Sequence, residues 1–153
     1  MDKTSLVAPN IDAGKHLLSA LERAGLAISI AAWLKLKDDA GWNLYVASPD
    51  VQKYGPTVVN RFIDRVGIAI GSDISIDEIL ATNTTNHFIN RISLPFFASS
   101  IHSAGGVYRL EAGLLGDSEI ENGFVYKVDR SVKPSKEAPR PNADALKRAK
   151  LAA

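Results

Sequence analysis

Residues 26–36 and 42–48 alternate in hydropathy with a period of two, and the turn-rich segment Lys37-Asp38-Asp39-Ala40-Gly41 lies between them. In the first run the even positions are Leu26, Ile28, Ile30, Ala32, Leu34 and Leu36, and the odd ones Ala27, Ser29, Ala31, Trp33 and Lys35. Successive side chains of a strand point to opposite faces, so the pattern predicts an antiparallel hairpin over 26–48. Pairing Leu36 with Trp42 sets Leu34 against Leu44 and Ala32 against Val46, and brings Trp33 to Tyr45 on the other face. A one-residue slip would exchange the faces, so the register is a sharp expectation. A lone hairpin is marginal in water, and further elements must cover its even face.

Helical patterns supply them. Gly14, Leu17, Leu18 and Leu21 recur at helical spacing over 12–24, with Asp12 placed as N-cap and Gly25 as the left-handed closing residue. Pro49 ends the second strand. Gly55-Pro56 opens another helix with Val58, Val59, Phe62, Ile63 and Val66 as its apolar stripe, closed by Gly67 or Gly71. Asn83-Thr84-Thr85 matches a glycosylation sequon but reads as helix-start chemistry for a short helix through Ile92, with Phe88, Ile89 and Ile92 inward. Residues 74–80 are double-valued: Ser75 and Glu78 have capping-box spacing, while Ile74, Ile76 and Ile79 suit a strand. Over 106–129 strand patterns return, and Asn122-Gly123 is a two-residue hairpin signal. With 153 residues, 46% hydrophobic, this is a single α+β domain over 1–129: an antiparallel or mixed sheet with helices packed on it.

The formal net charge of +1 conceals a division. Residues 130–153 carry seven Lys/Arg and two acids, for +5, and residues 1–129 carry eleven and fifteen, for −4. The basic C-terminal extension reads as a proline-containing linker and a short helix from Asn142, too short to be stable alone. Leu146 and Leu151 are its candidate anchors, and Lys147, Arg148 and Lys150 its candidate charge contacts.

One resemblance bears on this outline. The run Asp12, Gly14, Leu17, Leu18 and Leu21 is followed by Trp33, Trp42, Leu44, Ala47-Ser48-Pro49 and Gly55-Pro56, with Phe124-Val125-Tyr126-Lys127 later. It resembles a family of small bacterial proteins with no assigned activity, over roughly the first two thirds of the chain and more loosely in the late strands. The resemblance implies no catalytic residues. It does imply a strand at 74–80 and a strand running through Asn122-Gly123, against the local turn chemistry. The basic extension has no counterpart in it.

Catalytic chemistry finds little to build on. Without cysteine there are no disulfides, thiolate metal sites or cysteine nucleophiles. His16, His87 and His102 lack the spacing of a helical metal motif, and no metal or cofactor is expected. His102 lies among Ser99, Ser100 and Ser103, but sequence neighbours on a strand face opposite ways and no GxSxG elbow is present. Glu111, Asp117, Glu119 and Glu121 make a carboxylate-rich stretch that equally suits a solvated strand edge. Pro49-Asp50 with Glu111 faintly resembles a nuclease carboxylate pair, yet Glu111-Ala112-Gly113 lacks the lysine. Gly105-Gly106 belongs to no phosphate loop.

The expectation is therefore a non-enzymatic interaction or assembly subunit, self-associating or docking on another protein. Its contacts would be the Trp33/Tyr45 hairpin face, or simply a stabilising cross-strand pair there, and the basic tail. The rivals are nucleic-acid binding through that tail and a small hydrolase around His102 and Glu111. Residues 1–10 lack a signal-peptide core, and the apolar run 25–36 is too short for a bilayer, so no membrane partner and a cytoplasmic location are expected.

Overall fold

A computed structural model describes residues 9–93, 101–102, 108–111 and 120–151. Helix α1 (Ile11–Ala24) is capped by Asn10, whose side chain accepts from the Ala13 N–H at 3.0 Å, so the cap lies two residues before the expected Asp12. Gly25, at φ 115°, turns the chain out, and the Leu26 N–H reaches the Leu21 carbonyl at 3.0 Å. That bond satisfies a carbonyl the helix end would otherwise leave open.

Strands β1 (Ile30–Leu36) and β2 (Asn43–Ala47) form the expected antiparallel hairpin, but in the register one residue away from the expected one. Trp33 faces Leu44, and Ala32 faces Tyr45. The reason lies in β1, where residues from Ile30 to Leu34 are all at most 1% exposed. Alternation sets register only when one face is wet, and here both are dry.

Pro49 does more than end β2. It opens a short helix α2 (Pro49–Tyr54) capped by Ser48, which leads into α3 (Pro56–Ile70), closed by Gly71 at φ 66°. At 74–80 both readings hold in sequence. The Glu78 carboxylate accepts from the Ser75 N–H at 3.2 Å and a single 3-10 turn forms over Ile76–Glu78. Strand β3 (Ile79–Thr82) follows, parallel to β2. Helix α4 (His87–Ser93) takes its cap from Asn86, whose Oδ1 accepts from the Phe88 and Ile89 N–H groups.

Strands β4 (Ile101–His102), β5 (Tyr108–Glu111) and β6 (Ile120–Val128) complete a six-stranded mixed sheet. Its order is β3-β2-β1-β6-β4, and β5 also pairs with β6. β6 runs straight through Asn122-Gly123, so the hairpin turn read there does not form. Gly123 is paired with Leu34 on one side and Leu110 on the other. The register between β1 and β6 shifts between Ala31 and Ala32, where Ala31 faces Lys127 and Ala32 faces Val125. Tyr126 is the extra residue, so Val125 and Val128 pack on one face while Tyr126 packs on the other. The last helix, α5 (Ala143–Leu151), lies against α1 and α3.

The sheet thus separates two cores. On one side α1, α3 and α5 cover Ala31, Trp33, Leu44, Val46 and Tyr126. On the other, Phe88 and Ile89 of α4 pack on Ile30, Ala32, Leu34, Tyr45 and Val125. The architecture is α+β.

Candidate functional site

Trp33 and Tyr45 were the expected contact pair. They lie on opposite faces, 1% and 5% exposed, and belong to different cores. Trp33 Nε1–H donates to Tyr126 Oη at 2.9 Å, and that hydroxyl donates to the Ile11 carbonyl at 2.7 Å. The ring of Tyr45 meets that of Phe88 edge-on at 6.3 Å. Both are structural residues of the sheet.

Burial pushes the Tyr126 phenol up to about 12, the Trp33 hydrogen bond opposes that, and Asp12 adds to it. Tyr45 moves up too, through burial and then Asp39. A phenol whose folded value lies above its unfolded value of about 10 binds its proton more tightly when folded. Its contribution to stability is complete below that value and is lost as pH rises from about 10 to about 12. Denaturant unfolding across that window should show falling stability, and Tyr126→Phe should flatten the fall.

The basic extension is held by its own body. Asn142 Oδ1 accepts from the Ala145 N–H at 2.9 Å and starts α5. Ala145 and Ala149 are 2% and 0% exposed within the helical core, with Leu146 packed beside them. Leu151, an expected anchor, is instead 67% exposed, because the helix turns its alanine face inward. Small side chains let α5 approach α1 and α3 closely. Arg148 donates to the Arg23 and Ala24 carbonyls at 3.1 and 3.2 Å, a cation placed on the C-terminal end of α1. Lys147 and Lys150 point to solvent.

Upstream, the linker is pinned by Asp50, which is fully buried. Its Oδ2 accepts from the Ala27 N–H at 3.0 Å, and its Oδ1 accepts from the Ser135 N–H at 2.7 Å. Sequence reading weighed Asp50 only as half of a nuclease pair. Ser48-Pro49-Asp50, a cap followed by an acidic first turn, was the signal for a carboxylate at a helix start.

The hydrolase candidates are held apart by the sheet. His102 is opposite Lys127 and Glu111 is opposite Asn122, five positions apart along β6, or roughly 16 Å at strand rise. Glu121 pairs with Lys35 at 2.7 Å. Ser99, Ser100, Ser103, Gly105-Gly106, Asp117 and Glu119 lie outside the described residues. Among the described residues no three metal-capable side chains converge, and no helix is long and apolar enough to cross a membrane.

The surface feature that sequence reading missed is the outer edge of the sheet. β3 pairs with β2 on one side and ends the strand order on the other, so among the described residues its outer edge has no strand partner. Beside it, Ile68 is 70% exposed, Ile76 38% and Leu80 41%. Ile68 and Ile76 border an open groove of about 180 Å³ that Ile63, Ile74 and Ile79 also line. Residues 64–82 carry Asp64, Asp73, Asp77 and Glu78 against Arg65 alone, so this edge is apolar with an acidic surround. Neither a family model, nor a curated protein, nor a solved structure matches the chain.

Proposed function

We propose that this protein is a non-enzymatic interaction or assembly subunit whose contact surface is the outer edge of β3. The observation carrying the reading is the outer β3 edge, which has no strand partner among the described residues and is flanked by exposed Ile68, Ile76 and Leu80. Exposed strand edges template pairing with another chain, and natural proteins usually blunt them with lysine, proline or a covering element. Here Ile79-Leu80-Ala81-Thr82 contains none of those side chains. The partner that fits is an extended segment with alternate apolar side chains and flanking Lys/Arg, added as a strand. Main-chain hydrogen bonds would supply affinity, the groove would take one apolar side chain, and the acidic surround would favour the basic flanks.

Display selection of random peptides on the intact protein tests this. Apolar sequences with basic flanks should emerge, and Leu80→Lys or Ile76→Asp should weaken them about tenfold or more. Selected peptides that bind these variants unchanged, or a concentration-dependent dimer with no peptide selected, would overturn it.

A second reading, nucleic-acid binding through the extension, is favoured by Lys147 and Lys150 standing exposed on a folded helix. It predicts binding that falls steeply with salt and is lost in the Lys147→Ala/Lys150→Ala variant. That variant spares the β3 edge, so one pair of mutants separates the two readings.

A further inference from the structure

Helix α3 sorts its charges by flank. Asp64 lines the groove beside β3 together with Gly67 and Ile68, so that flank faces the sheet edge. The sheet order puts α1, packed at Gly14 on Trp33 of β1 and Tyr126 of β6, beside the other flank, and α5 lies against both helices. Arg61 and Arg65, exposed and one turn apart, fall on the far side of Asp64 from Gly67, toward α5.

Helix α5 divides in the same way. Arg148 reaches the last carbonyls of α1, and Asp144, one turn earlier, shares that flank. Lys150 is about 160° round the helix from Arg148, toward α3, and Lys147 stands between them on the outer surface. Two helices in contact thus present four exposed cations along one seam: Arg61, Arg65, Lys147 and Lys150. Among the described residues none of the four makes an ion pair or a hydrogen bond.

We propose that the seam between α3 and α5 binds the phosphate backbone of a nucleic-acid duplex. This rests on the nucleic-acid reading above and carries its surface from the extension onto the body of the domain. The two pairs rise about 6 and 4.5 Å along their helices, and each strand of a duplex carries a charge every ~3.4 Å of axis, so each pair reaches neighbouring phosphates. A single strand is held by stacking its bases on aromatic side chains. Helices α1, α3 and α5 hold one Phe, Tyr or Trp, Phe62, and it is buried. An anionic membrane calls for an apolar face beside the charges, but that face of α5, Ala145 and Ala149, is buried in the helical core. Phosphate contacts carry no sequence information, so duplexes of unrelated sequence should bind alike.

Fluorescence anisotropy with a short labelled DNA duplex tests the seam. The logarithm of affinity should fall with the logarithm of salt at a slope of about −3.6, for four contacts. Arg61→Gln/Arg65→Gln, at exposed positions, should halve that slope and lose about tenfold or more at low salt, as much as Lys147→Ala/Lys150→Ala. Lys15→Gln, on the flank of α1 that Glu22 shares beside Lys127, should keep both slope and affinity. Binding lost in the lysine variant but unchanged in the arginine variant would overturn this inference and leave the nucleic-acid reading standing. No duplex binding at low salt would end both. Tighter binding of a single strand or of phosphatidylserine vesicles, or a tenfold loss in Lys15→Gln, would overturn the duplex seam.

Discussion

Replacing Asp50 by alanine should cost about 3–5 kcal/mol of folding stability, measured by denaturant unfolding. Asp50 is 0% exposed, and the basic groups nearest in sequence play no part in holding it: donors from Ala27 and Ser135 do. Ser135 Oγ shares its proton between Asp50 Oδ2 at 2.7 Å and the Gly25 carbonyl at 2.9 Å. Hydrogen bonds to an ionised acceptor are about twice as strong as neutral ones, and the dipole of α2 favours an acidic residue in its first turn. Removing the carboxylate takes the acceptor from two part-buried N–H groups, each costing about 1–3 kcal/mol when left unmade, and leaves the Ser135 hydroxyl only the Gly25 carbonyl. Asp50→Asn keeps the shape but must turn its NH₂ toward a donor, so about 2 kcal/mol is expected. Because Ser135 ties the extension to the body, both variants should also speed tryptic cleavage after Lys136. An Asp50→Asn protein matching the wild type in unfolding and cleavage would sink this account.

The network also marks where sequence reading reaches its limit. Helices α1 and α3 were legible because their apolar stripes and closing glycines are local, and Gly25 and Gly71 adopt the positive φ that stops a helix. The hairpin was legible as an element but not in register, since β1 is packed on both faces and nothing in its alternation marks a wet side. At Asn122-Gly123 tertiary pairing overrode turn chemistry: β1 claims one edge of that dipeptide and β5 the other. The short capping-box turn before β3 reconciles two signals that looked exclusive. Asp50 and Ser135 are 85 positions apart, so no spacing rule joins them. The β3 edge is equally non-local, defined by which strands neighbour it.

A close approach of α1 to the sheet at Gly14 yields the second large effect. A Cβ added at Gly14 would fall 2.2 Å from Tyr126 Oη and 2.8 Å from Trp33 Nε1. Both atoms belong to the chain of hydrogen bonds from Trp33 through Tyr126 to the Ile11 carbonyl, and both rings are at most 2% exposed. Alanine in a helix interior ordinarily gains about 0.5–1 kcal/mol over glycine. Here the overlap should reverse the sign, and Gly14→Ala should lose about 2–3 kcal/mol net as the phenol is driven off its partners. Tyr126→Phe alone should lose about 1–2 kcal/mol, because it leaves the indole N–H and the Ile11 carbonyl unpaired. In the double variant the oxygen that meets the new methyl is gone, so the combined loss should fall short of the sum by about 1–2 kcal/mol. That coupling is the decisive quantity. Strict additivity would mean that α1 retreats from the sheet as a rigid body, and the Trp33–Tyr126 contact would then not be what fixes its distance.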